Sequence, residues 1–202
     1  MSVLEKIVFA SNNMGKFREF RKSFRDLKIQ LIPQSEFGVK GAPEPYPTFL
    51  ENALAKARFA STATCLPALA DDSGVCVDVL QGLPGVRSAR FGGEGSTDLD
   101  NNRLLLKRMY GKENRVAVFY CVVALIRGTD DPLPMLGFGS WEGVIADKIS
   151  KLGGFGYDPI FFDGKLGKLA SNLEIEEKNA VSHRGQAIRQ ITSVIKDERN
   201  SK

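Results

Sequence analysis

Sulfur and imidazole chemistry are scarce in this chain: three cysteines and one histidine in 202 residues. An odd number of cysteines (Cys65, Cys76, Cys121) with no paired spacing argues against a disulfide framework and against a zinc cluster, and fits a reducing compartment. With His183 alone, no histidine-rich metal site can be built, so any metal is expected to be a hard cation held by oxygen, magnesium by default. Long hydrophobic runs are also missing. The longest, Val116 to Ile126, is well short of the roughly 18 to 20 residues of a membrane-spanning helix, and it reads as a buried strand. The opening MSVLEKIVFA carries an acid at Glu5 and lacks the apolar core of a secretory signal, so the expected location is the cytoplasm, with no membrane partner.

What is present is ordinary for a globular protein with a real core: 43% hydrophobic residues and no repeats or low-complexity tracts. No composition break marks a linker, so residues 1–202 are expected to form a single domain. The net charge of +4 favours an anionic partner, though only modestly.

Lys6 to Ala10 reads as a strand that runs into the polar turn Ser11-Asn12-Asn13-Met14-Gly15-Lys16. A helix should follow, with Phe17, Phe20, Phe24 and Leu27 inward and arginines and lysines on the other faces. A polar turn before a helix N-terminus can cradle phosphate, but the Walker A pattern is absent. Prolines 43, 45 and 47 hold an extended loop around Glu44. Thr48-Phe-Leu-Glu51 is a capping-box signature for a helix to about Thr62, on which Asn52 and Lys56 lie one turn apart.

Leu66 to Leu80, LPALADDSGVCVDVL, reads as a strand, a tight turn and a second strand with carboxylates at the bend. Side chains alternate on extended backbone, so Asp71 and Asp72 should divide roles, one facing the reaction and one supporting the turn. Gly82 to Gly95 reads as a long structured loop, and Thr97 opens a helix that buries Leu99, Leu105, Leu106 and Met109. Residues 115–127 and 134–146 should form an antiparallel hairpin. In Lys151 to Phe162, glycines would let a ligand approach the backbone, and Phe155 and Tyr157 would offer flat faces to a base. A short helix carries Lys178, and Ser182-His183-Arg184-Gly185 opens a final helix whose Ile188, Ile191 and Ile195 pack inward. Strands alternating with helices, followed by a hairpin, give an α/β class with a mixed, twisted sheet flanked by helices.

Six stretches together resemble the inosine triphosphate pyrophosphatase family: SNNMGK at 11–16, TFLENALAKA at 48–57, ADDSG at 70–74, LPGVRSARF at 83–91, GGFGYDPIF at 153–161 and EEKNAVSHRGQA at 176–187. The similarity spans nearly the whole chain in order. It implies an elongated mixed sheet in two lobes with a central nucleotide-binding cleft, a Mg2+ requirement and a homodimer. The implied activity is hydrolysis of non-canonical purine nucleoside triphosphates (ITP, dITP, XTP) to monophosphate and diphosphate.

Carried over residue by residue, Ser11, Asn12, Asn13, Met14, Gly15 and Lys16 resemble the phosphate turn. Asp72 resembles the general base and a metal ligand, and Glu44 a second acid near the metal. Ser73, Phe155, Gly156, Tyr157, Asp158, Lys178, His183 and Arg184 resemble substrate contacts. Lys56 would neutralise phosphate charge. Related expectations are a pyrophosphatase for modified pyrimidine or standard nucleotides, a non-catalytic nucleotide sensor, and a nucleic-acid binder using the basic first helix. The last is disfavoured because that helix's aromatics point inward and cannot stack on exposed bases, so no stable nucleic-acid partner is expected.

Overall fold

In the computed structural model, residues 4–150 and 154–200 are described. Strand β1 (Lys6–Phe9) leads through Asn13, whose side chain accepts from the Gly15 and Lys16 N–H groups, into α1 (Met14–Asp26). The chain returns as β2 (Gln30–Pro33), parallel to β1 from Lys6↔Gln30 to Phe9↔Pro33. Phe17, Phe20 and Phe24 are buried, and the Phe9 and Phe20 rings lie 5.0 Å apart. The inward stripe expected from their spacing is therefore present.

Thr48 caps α2 (Phe49–Thr64), accepting from Glu51 N–H and donating to the Glu51 carboxylate. The small residues Ala57 and Ala60 share a buried cluster with Val8, Ala68 and Ala70, which lets the helix lie close to the sheet. Then comes β3 (Ala68–Val77), parallel to β1 at Val8↔Ala68 and Phe9↔Leu69. This strand corrects the expected bend. Asp-Asp-Ser-Gly lies inside one ten-residue strand, because a buried position in the sheet ladder outweighs the turn preference of these residues.

After a 3-10 helix at Gly85–Arg90 come α3 (Asp98–Arg108), β4 (Val116–Ile126), β5 (Met135–Ile145), β6 (Phe161–Asp163), β7 (Lys168–Leu169), α4 (Ile175–Val181) and α5 (His183–Asn200). The sheet order is β2-β1-β3-β4-β5-β6-β7. Its first pairs are parallel and its last, β5–β6 and β6–β7, antiparallel, so it is the mixed α/β sheet expected.

The chain forms two compact units. One contains the residues up to Asp72, Cys121–Phe138 and those from Gly185 on. Its core joins Phe9, Phe20, Phe24, Leu69, Val123 and Leu125 to Ile188, Ile191 and Ile195. The other contains Ser73–Tyr120 and Gly139–Arg184, around Val75, Leu105, Met109, Phe119, Trp141, Ile160 and Phe161. Leu99, expected inside, is 44% exposed, because the buried stripe of α3 is centred on Asn102, Leu105 and Met109.

Candidate active site

In the first unit, α2 and β3 place Lys56 against two acids. Its Nζ donates to Glu44 Oε1 at 2.7 Å and to Asp72 Oδ1 at 3.1 Å. Asn52, one turn earlier on α2 and fully buried, donates to Asp72 Oδ2 at 3.1 Å. The same amide accepts from Tyr46 N–H at 3.1 Å and donates to Tyr46 O at 3.2 Å, so it ties the proline loop beside Glu44 to the Asp72 carboxylate.

Burial pushes the Asp72 carboxyl above its ordinary 3.8; Lys56 opposes that rise and the neighbouring Glu44 adds to it. Burial alone would pull Lys56 down, but the charges of Asp72, Asp71 and Glu44 outweigh it and hold the ammonium above 10.5. The cluster thus combines a carboxylate of increased basicity, a second acid and a fixed cation.

Asp71, on the opposite face of β3, meets Lys16 Nζ at 2.7 Å. The two acids meet different partners, and the support expected of Asp71 is not seen: with no bend in β3 to hold, it anchors the lysine of the Ser11–Lys16 turn. That turn is also more self-contained than expected. Asn13 Oδ1 occupies the Gly15 and Lys16 N–H groups at 2.9 and 3.1 Å, Ser11 Oγ accepts from Asn13 N–H, and Asn12 Oδ1 accepts from Gln34. Met14 is exposed and can offer phosphate only its backbone.

A second constellation lies in the other unit. Phe155 leaves its ring partly exposed, with Lys178 Nζ 4.3 Å and Arg184 Cζ 5.4 Å from the ring centroid. Lys178 also donates to Asp158 Oδ2, which accepts from Phe155 N–H at 3.2 Å, and Arg184 Nη2 donates to Ser73 Oγ at 3.3 Å. Thus Ser73, Phe155, Asp158, Lys178 and Arg184 come together.

Tyr157 does not present the flat face expected of it. It is buried, its hydroxyl donates to Ser88 O at 2.9 Å, and burial with the nearby Asp98 charge pushes its phenol pKa up. His183 is also buried, stacked on Phe119 at 4.6 Å with 6° between the ring planes. The beginning of the glycine-rich stretch, 151–153, lies outside the described residues. Sequence reasoning missed Asp98 and Asn102, both of which bond to Gly156. No local signal marks them, because their partner is more than fifty residues away and a first-turn acid is already explained by the helix dipole.

Glu44 and Asp72 are oxygen donors of the kind that hold magnesium, which is commonly bound by one or two carboxylates together with substrate phosphates. Among the described residues no group of three or more His, Cys, Asp or Glu side chains could form an all-protein cage. No helix among them is long and apolar enough to cross a membrane.

A model of the Ham1 family matches residues 7–194. The chain is 51% identical over 195 residues to a protein of Nitrosomonas europaea named dITP/XTP pyrophosphatase, covering 96% of each. A protein of the same name from Chromobacterium violaceum is 50% identical, covering 96% of this chain and 98% of the relative. The solved structure of a HAM1 protein from Coxiella burnetii superposes with a TM-score of 0.91 at 44% identity, covering 96% and 99% of the two chains.

Proposed function

The chain belongs to the Ham1 family, and from that premise we propose that it hydrolyses non-canonical purine nucleoside triphosphates, among them dITP, XTP and ITP, to the monophosphate and diphosphate. The observation that carries the proposal is Asp72: a buried carboxylate made more basic by burial, oriented by Asn52 and Lys56, and paired with a second acid.

Asp72 takes a proton from the water that attacks the α-phosphorus, and the bond to diphosphate breaks as the new P–O bond forms. Positioned bases of this kind contribute roughly 10² to 10⁴ in rate. Glu44 and Asp72 would hold a magnesium ion, which supplies charge neutralisation to the phosphates and the leaving diphosphate. Lys56 and Lys16 add fixed positive charge. Phe155, with Lys178 and Arg184 beside it, is a set suited to a purine: a ring to stack on and donors for the keto oxygen at position 6. Adenine carries a donor amine there, and a donor facing a donor separates substrates by orders of magnitude.

We place the enzyme in the cytoplasm and expect it to act as a homodimer. Phe138 is an exposed apolar side chain of the first unit, and Val116, Tyr120 and Val144 are exposed apolar side chains of the second; side chains of this kind suit burial against a second copy.

The test is hydrolysis of dITP, ITP, XTP, dATP, dGTP, dUTP and dTTP with and without magnesium, resolving diphosphate from single phosphate. Magnesium-dependent release of diphosphate from dITP, ITP and XTP, and little from dATP, dGTP, dUTP or dTTP, is expected, and Asp72→Asn should lose at least about 10²-fold in kcat while still binding nucleotide. Release of single phosphate, or full activity in Asp72→Asn, overturns the mechanism.

A further inference from the structure

Asp98 and Asn102 lie one turn apart on α3, on a common face. Both reach Gly156. The Gly156 N–H donates to Asp98 Oδ2 at 2.6 Å, and Asn102 Nδ2 donates to the Gly156 carbonyl at 2.8 Å. Gly156 has φ +60°, a left-handed conformation that glycine adopts at low cost, and a Cβ added there would touch nothing within 4 Å. The glycine permits the conformation, and the two bonds from α3 select it. Because Phe155 precedes this residue and Tyr157 and Asp158 follow it, fixing its backbone sets the directions in which their side chains depart.

The helix is itself well anchored. Thr97 and Asp100 form a capping box at its start. Asn101 Oδ1 accepts from Gly92 N–H at 2.7 Å and Ser96 Oγ at 3.0 Å, while its Nδ2 donates to Ala89 O at 3.2 Å. Asn102 is only 2% exposed, and its Oδ1 has no hydrogen-bond partner among the described residues. A buried amide that leaves an acceptor unsatisfied is costly, so stability alone would favour an apolar side chain at this position. What asparagine supplies there is its bond to the loop.

We infer that Asp98 and Asn102 are positioning residues for purine recognition, a pair on α3 that holds Phe155–Asp158 in the one arrangement that receives the base. This rests on the assignment of Phe155–Asp158 to the nucleobase. Both residues bond to the loop backbone, and neither is among those assigned to the phosphates. Their removal should therefore raise KM and weaken the preference for dITP over dATP, while kcat stays nearly constant.

The experiment compares Asn102→Leu, Asp98→Ala and the acceptor-retaining Asp98→Asn with wild type. It measures kcat and KM for dITP and dATP, thermal midpoint, and amide hydrogen exchange of the peptide covering 154–158. In Asn102→Leu and Asp98→Ala the midpoint should stay close to wild type, exchange in the loop should quicken and KM for dITP should rise, each by up to about tenfold, the scale of one lost hydrogen bond. Asp98→Asn should restore both. Unchanged exchange and KM in both disrupting variants, or a fall in kcat with KM unchanged, overturns the inference. Should Asn102→Leu not fold, Asp98→Ala decides alone, since Asp98 is on the surface. If the wild type fails to turn over any nucleotide, the proposed activity falls, while the exchange measurement still decides whether α3 holds the loop.

Discussion

At Lys56 one ammonium group lies 2.7 Å from Glu44 and 3.1 Å from Asp72, with all three at least partly withdrawn from water. Its pKa is held above 10.5 in the folded chain, so the stability it contributes is fully present below that pH and is lost as the solution becomes more alkaline. Lys56→Met would leave two carboxylates facing each other without the ammonium that bonds to both. In metal-free buffer at neutral pH this should destabilise the protein by about 3 kcal/mol, the usual cost of breaking a buried pair. Because burial and Glu44 already favour the protonated form of Asp72, mild acid should relieve the defect. Thermal midpoints of wild type and variant should converge as pH falls; a constant gap would mean that packing, not charge, accounts for the loss.

Much of this cluster is legible in the sequence. Asn52 and Lys56 share a helical face by their spacing, and the prolines single out Glu44. The pairing of Lys16 with Asp71 is not legible, because it depends on which face of β3 turns toward α1.

Among the elements, β3 shows how context overrides local preference. Asp, Ser and Gly are turn formers, but in the middle of a buried sheet the same residues stay extended, and the acids separate to opposite faces. The final helix is the reverse case: the spacing of Ile188, Ile191 and Ile195 identifies its buried side directly. What spacing does not reveal is how near that helix comes to β5. At Gly137 an added Cβ would fall 2.5 Å from Ala187 O and 3.0 Å from Ile191 Cβ. Backbone cannot yield as a flexible side chain does. Gly137→Ala should therefore destabilise the protein by about 1–3 kcal/mol, measured by urea unfolding. A variant as stable as wild type would show that α5 can shift outward freely.

For the molecule as a whole, the expected dimer makes a direct prediction. Sedimentation equilibrium should give twice the chain mass, and Phe138→Glu, which puts a charge at an exposed apolar position of β5, should shift the protein toward the single-chain mass. A wild type that sediments as one chain at micromolar concentration removes the homodimer from the account.

The two compact units escape sequence reading for a simple reason. The chain passes from one to the other at 72/73, 120/121, 138/139 and 184/185, within β3, β4, β5 and α5, where no glycine- or proline-rich linker could announce a boundary. Two of these crossings, Asp72–Ser73 and Arg184–Gly185, also carry candidate site residues. This interleaving bears on inheritance. No single recombination crossover can bring in one whole unit and leave the other untouched, because any piece of chain that holds all of the second unit also carries parts of the first, so units of this kind cannot be traded between lineages as cassettes. Each unit is inherited together with the other, with the chain as one piece.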